Sequence, residues 1–361
     1  MRLLYTNQKL GYAGNSSYTL DLSLVLRAVG HDIQVCTTGG ALRNVFMQNG
    51  IETYVVKFDL LSFRKLLEFL REFGPDLIHI QNRQSASFGQ KISRKLRVPH
   101  VITVHRLPDS TWPRLKDRYL AGVIAVNELI REFLVNNLGI SKSLIRVIPR
   151  GVNVDLLTPE TRPAVPEPAR ALIPVIGSVG SLTKVKGHDI FVRAARRVLE
   201  SGVEAMFAIV GEGEEEKSLR SLVKELGLER QVTFSPPIPD RRELYRIMDI
   251  VVVPTLRGGV GSTVLEAMAM GKPVVASAVG EILHIVQDGK AGLLIPEGNA
   301  EVLADRLIEL TRNPGLCERL GRAARARAEE DFALMPMVQG TLGFYEEVLA
   351  RVREGGAMPV S

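Results

Sequence analysis

The sequence predicts an α/β protein built from two doubly wound, Rossmann-like domains. Short apolar, β-branched runs alternate with longer stretches of helical periodicity along most of the chain. The alternation breaks once, over a proline-rich segment from Thr158 to Pro174, and then restarts. At 361 residues the chain is also too long for one typical core, so two domains are expected, over 1–160 and 161–335. Repeated βα units imply mainly parallel sheets with helices on both faces.

Arg2–Thr6 reads as the first strand, and Asn7–Ser17 as a polar loop holding Gly11 and Gly14. A helix starting at Ser17 or Thr19 is closed by Gly30-His31, and Ile33–Cys36 is the second strand. A helix near Ala41–Asn49, strand Thr53–Val56, helix Phe63–Phe73, strand Leu77–Ile80 and helix Ser85–Leu96 follow. Strand Val101–Val104, helix Pro113–Leu120, strand Gly122–Val126, helix Glu128–Asn137 and strand Ile145–Ile148 complete the first half. Pro159, Pro163, Pro166, Pro168 and Pro174 then read as a semi-rigid linker. Beyond it come strand Ile173–Val179, helix Asp189–Ser201, strand Ala205–Val210, helix Glu214–Leu226, strand Val232–Phe234 and helix Asp240–Met248. Strands Ile250–Val253, Val274–Ala276 and Leu293–Ile295, helix Ala300–Thr311 and a helical tail to about Gly355 close the pattern.

Val251–Ser277 is the stretch around which the second half is organised. A strand buried on both faces leads into Pro254–Gly261, a loop with three glycines and Arg257, and then into the helix VLEAMAM. Strand, glycine-rich loop and helix N-terminus together present backbone N–H groups to a phosphate, and Glu266 lies about one turn into that helix. Gly177–Gly187 is a second such unit, a strand followed by a glycine- and hydroxyl-rich loop carrying Ser181, Lys184 and Lys186. Its lysines suit phosphate oxygens, although the loop lacks Walker A spacing. Gly211-Glu212-Gly213 imitates a dinucleotide fingerprint, but Glu216 stands at the third glycine position, so a helix-starting turn is the better reading. His105 ends a strand at the ligand edge of the first sheet, and Arg106, Arg114 and Lys116 follow it. At this level an ordinary crossover, solvated lysines and a loop-bonded histidine remain open beside the functional readings.

Residues 1–150 carry 21 Lys/Arg against 11 Asp/Glu, and residues 151–361 carry 25 against 29. The basic half suits an anionic partner, a phosphorylated acceptor or an acidic membrane surface, or is simply solvated. No aromatic-interleaved basic stripe accompanies it, so nucleic acid is not an expected partner. Cys36 and Cys317 fit no metal spacing and point to a reducing compartment. The opening MRLLYTNQK is too quickly polar for a secretion signal, and no apolar run reaches the ~18 residues of a membrane span. The expected location is the cytosol, peripheral to the inner face of the membrane where the basic half meets it. No D-x-D, HExxH, paired-cysteine or G-x-S-x-G motif occurs, so no metal or other cofactor is expected.

Along nearly its whole length the chain resembles the glycogen-synthase-like, retaining glycosyltransferases of family 4, with the GT-B fold. The segments that carry the resemblance are PHVITVH, IRVIPRGVNVDLLTP, VGSLTKVKGHDIFVRAA, VGEGEEEKSLRSLVKELGL and GVGSTVLEAMAMGKPVVAS followed by VGEILHIVQDGKAGLLIP. The resemblance implies transfer of a sugar from a nucleotide diphosphate to a hydroxyl acceptor with retained anomeric configuration. It also implies two Rossmann-like domains about a cleft, the first binding acceptor, the second binding donor, and residues 336–361 returning to the first. Carried over by position, Lys186 holds the diphosphate, Glu266 binds the ribose hydroxyls, and Gly259, Val260, Gly261, Ser262, Thr263 and Val264 face donor sugar and phosphate. Gly14 backs the donor from the first domain, and His105 faces the transferred sugar. The donor is a co-substrate, with UDP-sugars favoured over GDP-sugars.

Four positions depart from the family pattern. Gly258 stands where the first glutamate of the usual E-x7-E pair is expected, and Ser181 stands for a phosphate-binding arginine, with Lys184 able to replace its charge. Arg150 and His284 replace the more usual Asn and Glu; Arg150 is grouped with Arg106, Arg114 and Lys116 as an acceptor-facing or anion-facing surface. The leading expectation is a transferase of cell-surface glycan synthesis, of lipopolysaccharide or capsule type, acting on a glycan or glycolipid. A nucleotide-sugar epimerase and a non-catalytic nucleotide-sugar-binding partner are the alternatives.

Overall fold

The computed structural model describes residues 1–11, 14–56, 60–107, 117–159, 173–257 and 261–354. The chain divides into two compact units, Met1–Gly151 with Leu334–Ser361, and Val152–Ala333. The first unit holds strands β1 (Arg2–Thr6), β2 (Asp32–Thr37), β3 (Glu52–Val55), β4 (Leu77–Ile80), β5 (His100–Val104), β6 (Leu120–Ala125) and β7 (Ile145–Val147). Its helices are α1 (Asn15–Ala28), α2 (Arg43–Gln48), α3 (Leu60–Phe73), α4 (Arg83–Leu96) and α5 (Glu128–Asn136). The second unit holds β8 (Val175–Val179), β9 (Met206–Val210), β10 (Val232–Ser235), β11 (Ile250–Val253), β12 (Val274–Ser277) and β13 (Leu293–Ile295). Its helices are α6 (His188–Glu200), α7 (Glu216–Glu225), α8 (Arg241–Arg246), α9 (Gly261–Ala269), α10 (Ile282–Ile285), α11 (Ala300–Arg312) and α12 (Pro314–Asp331). A last helix, α13 (Leu334–Arg353), belongs to the first unit.

Each unit is a parallel sheet, ordered β3-β2-β1-β4-β5-β6-β7 in the first and β10-β9-β8-β11-β12-β13 in the second. Both orders reverse at one place, between β1 and β4 and between β8 and β11. In open α/β sheets the crevice at such a reversal, beyond the carboxyl ends of the strands, is where ligands bind.

Alternating side chains feed two cores per sheet, as strands buried on both faces require. Ile250 and Val252 pack with Phe191, Phe207 and Leu303, whereas Val251 and Val253 pack with Tyr245, Leu265 and Met268. Leu3 and Tyr5 similarly share a core with Phe344 and Tyr345 of α13, and Leu4 packs on the other face with Phe63 and Ile78. The docking of α13 depends on Gly122, where a Cβ would lie 2.5 Å from Cζ of Phe344. Tyr5 and Tyr345 share a hydroxyl hydrogen bond of 3.2 Å, and Tyr345 also bonds Nδ1 of His79.

Several expectations need correction. The units divide at Gly151/Val152 and Ala333/Leu334, not at 160/161 and 335/336. Val152 and Leu157 pack in the second unit, and Val152 N–H donates to the Phe332 carbonyl at 2.8 Å, so the chain joins that unit before the proline-rich stretch. Residues 160–172, most of that stretch, lie outside the described residues. The first helix begins at Asn15 because Gly14 occupies the N-cap at φ 54°, and no side-chain cap marks the start. Leu120 opens a buried strand and does not end a helix, while residues 113–116 of the expected helix lie outside the described residues. The expected helical tail is two helices separated at Phe332 and Ala333.

Candidate active site

In the second unit, two loops meet at the sheet reversal. After β8 the chain runs through Gly180 and Ser181 into a 3₁₀ turn, Lys184–Lys186, and enters α6 through Gly187. Gly187 adopts φ 67°, and a Cβ there would stand 2.1 Å from the Pro254 carbonyl oxygen. Only glycine allows that approach, which brings the lysine loop against the chain leaving β11. Leu256 N–H donates to the Val185 carbonyl at 2.9 Å and closes the contact.

Gly211 and Gly213 support the same loop from the other side. A Cβ at Gly211 would lie 1.8 Å from the Gly180 carbonyl oxygen, and one at Gly213 would lie 2.3 Å from that of Leu182. Leu182 N–H donates to the Glu212 carbonyl and Glu215 N–H to that of Leu182, both at 2.9 Å. The G-E-G turn is therefore a packing brace for the lysine loop. Ser181 and Lys186 are half-buried and Lys184 is exposed. His188 is buried behind the loop with Nδ1 3.1 Å from Ser178 Oγ, and burial pushes its pKa down to about 4. It therefore stays neutral beside Lys186 at neutral pH.

Glu266 sits in the second turn of α9, 7% exposed. Tyr245 donates its hydroxyl to Oε2 at 3.0 Å, and Arg241 Nη1 lies 3.3 Å from Oε1. Burial and the neighbouring carboxylate hold the Tyr245 phenol well above its usual range, so it remains a donor. At the start of α9, Gly261 N–H donates to Oε1 of Glu281 at 2.9 Å, while Ser262 and Thr263 are half-buried and Val264 is buried. A helix N-terminus and two lysines on the neighbouring loop, with a fixed carboxylate one turn further in, suit an anionic ligand with vicinal hydroxyls.

The first unit has its own cluster. His105 follows β5 and is buried, and its ring packs edge-on against Tyr18 at 4.9 Å between centroids. Arg150, 8% exposed, lies beyond β7 and holds three neighbours. Nη1 donates to the Gly14 carbonyl at 3.1 Å, and Nη2 donates to Asn15 Oδ1 at 3.1 Å and to His105 Nδ1 at 3.0 Å. Its guanidinium also lies 5.6 Å from the Tyr18 ring centroid. Burial holds His105 well below the usual histidine range; the charges of Arg150 and His79 add to this, and the Gln81 backbone opposes it.

Of the expected residues, Ser181, Lys184 and Lys186 lie on the loop that touches the chain leaving β11, Gly261–Glu266 lie on the helix after that chain, and Gly14 and His105 are brought together by Arg150. Arg150 is corrected: it is an interior residue bonded to the Gly14 loop and His105, not part of an exposed basic surface. Arg106, the residue after His105, is exposed. Gly258, Gly259, Val260, Arg114 and Lys116 lie outside the described residues. Tyr245, Arg241, Glu281 and His188 were not foreseen as site residues. His188 directly follows Lys186-Gly187 and could have been found there, but the others reach the site only through tertiary packing.

The comparisons with known proteins give the class, a glycosyltransferase. Residues 169–327 match the glycosyl transferases group 1 family, and residues 12–156 match glycosyltransferase family 4. The chain is 31% identical to a D-inositol 3-phosphate glycosyltransferase of Acidothermus cellulolyticus, an alignment covering 94% of this chain and 84% of that protein. It is also 31% identical to the Corynebacterium jeikeium protein of the same name, over 81% of this chain and 78% of the other. Among solved structures, Anabaena Alr3699/HepE in complex with UDP-glucose superposes with a TM-score of 0.85 at 23% identity, over 96% of this chain and all of that one (100%). The chain belongs to the family 4 glycosyltransferases and has their GT-B fold. Among the described residues, no helix is long and apolar enough to cross a membrane.

Proposed function

We propose that the protein transfers a sugar, with retention, from a UDP-sugar to a hydroxyl of an anionic acceptor. The observation that supports this reading is the contact of the Lys184–Lys186 turn with Pro254 and Leu256, in the chain between β11 and the Glu266 helix. Lys186 meets the diphosphate and takes up charge as the nucleotide departs, the largest electrostatic change in such a reaction. Glu266, oriented by Tyr245 and Arg241, accepts from the ribose hydroxyls. His105 donates from its ring to the transferred sugar. UDP takes precedence over GDP as the first nucleotide to test, since the Anabaena protein of this fold was solved with UDP-glucose.

The anionic acceptor is supported by the basic balance of residues 1–150 and by the names of the curated relatives, which act on a phosphorylated cyclitol. A phosphorylated polyol is accordingly proposed as the acceptor class. Lipopolysaccharide- or capsule-type acceptors at an anionic membrane surface share its charge and form the second class. The test is a thermal-shift screen of UDP-, GDP-, ADP- and dTDP-sugars, followed by product analysis with phosphorylated polyols, glycolipids and no acceptor. A UDP-sugar shift and an acceptor-dependent glycoside support the proposal. Conversion of the sugar without acceptor makes the protein an epimerase, and nucleotide binding without turnover makes it a binding partner; either overturns it.

A further inference from the structure

We infer that Arg150 is a positioning residue for His105: its Nη2 donates to Nδ1 at 3.0 Å, which fixes the neutral ring with its proton on Nε2. Arg has no acceptor atom and is always protonated, so Nδ1 must be the accepting nitrogen. An imidazolium would set an N–H against an N–H at this contact. The single proton of the neutral ring therefore lies on Nε2, the nitrogen that does not meet Arg150. Nε2 is buried and makes no hydrogen bond of ordinary geometry among the described residues, but the Gln81 backbone lies near enough to the ring to favour its proton.

The arrangement is held from several sides. Arg150 is tied to Gly14 and Asn15 at the head of α1, and Tyr18 of the same helix packs on both Arg150 and His105. Among the described residues, the titratable or charged groups acting on His105 are Arg150 and His79, and Tyr18 lies against its ring. Among the described residues, Arg150 meets the neutral groups of Gly14, Asn15, His105 and Tyr18. A carboxylate in that place would draw a proton onto the ring and turn the donor into a cation. Arg150 instead gives His105 a directed, uncharged N–H donor through the physiological range, and orients it together with the Gly14 loop. The link to turnover rests on the proposed glycosyl transfer; the tautomer does not.

The experiment is long-range proton–nitrogen NMR on the full chain labelled with ¹⁵N-histidine, with His105→Gln assigning the ring. Wild type is expected to show the Nε2–H tautomer without titration from pH 8 to 5.5; an Nδ1–H tautomer or a titrating ring in wild type overturns the inference. Arg150→Met should yield mixed tautomers and a ring pKa moving upward, and Arg150→Gln, which keeps one donor, should restore Nε2–H. An unchanged ring in Arg150→Met overturns the inference. In turnover, Arg150→Met should cost about tenfold in kcat/KM and add an acid limb to the pH profile, with no further loss in the His105→Gln background. A fully additive loss contradicts action through His105. Absence of transfer from every donor would sink the proposed reaction and leave the tautomer result standing.

Discussion

The hydroxyl of Tyr245 donates to Oε2 of Glu266 at 3.0 Å, joining α8 to α9. The bond matters because a buried carboxylate must be hydrogen-bonded, and a bond to a charged group is worth about 1.5–3 kcal/mol. Tyr245→Phe keeps the ring and removes the bond. It should weaken UDP binding by tenfold or more, about 1.5 kcal/mol, as read by titration calorimetry. Unchanged affinity would mean that Glu266 does not need this orientation to hold its ligand.

The strands and their alternation were legible because parallel strands buried on both faces read as uninterrupted apolar runs, as at Ile250–Val253. The placement of Lys186 and Glu266 in the fold was legible because each follows a strand and a glycine-rich loop in sequence. Arg150 was misplaced for a physical reason: an isolated arginine reads as solvated, and nothing local announces that Gly14, Asn15 and His105 surround it. The Tyr245–Glu266 bond was hidden for the same reason, since its partners come from separate helices. The start of α1 was missed because Gly14 caps it with no side-chain signal.

Gly187→Ala tests the seam between the two loops. The added methyl meets the Pro254 carbonyl at 2.1 Å, and the left-handed backbone disfavours any Cβ. Strain and overpacking together should cost about 2–5 kcal/mol in urea unfolding of the second unit. A loss below about 0.5 kcal/mol would show that the seam relaxes freely.

Acid should destabilise the fold through buried histidines. Burial pushes His79 down to about 3, and His100 and His188 down to about 4, against an unfolded value of 6.5. Between those values the unfolded chain binds protons that the native chain refuses, so stability is complete above pH 6.5 and falls as pH drops toward 4. Each histidine contributes a slope of up to about 1.4 kcal/mol per pH unit. The thermal midpoint should be nearly level from pH 8 to 7 and decline steadily from 6.5 to 4.5. A level midpoint across that lower window would mean that these rings take up protons in the folded state.

An anionic acceptor predicts salt sensitivity. Charges in the basic half are screened over about 10 Å at 0.1 M salt and about 3 Å at 1 M. The KM for a phosphorylated polyol should therefore rise severalfold between these concentrations, while that for a neutral polyol changes little. Equal behaviour of the two acceptors would remove the electrostatic argument for the acceptor class.

The most direct measurement follows a UDP-sugar and a phosphorylated polyol by proton NMR, with wild type and Lys186→Ala compared under identical conditions. Wild type should release UDP and form a glycoside with the anomeric configuration of the donor. Lys186→Ala should remain folded and lose about 10²-fold in kcat/KM, roughly 3 kcal/mol of transition-state stabilisation. An inverted product, or a Lys186→Ala enzyme that turns over at the wild-type rate, would contradict retaining transfer driven from the lysine loop.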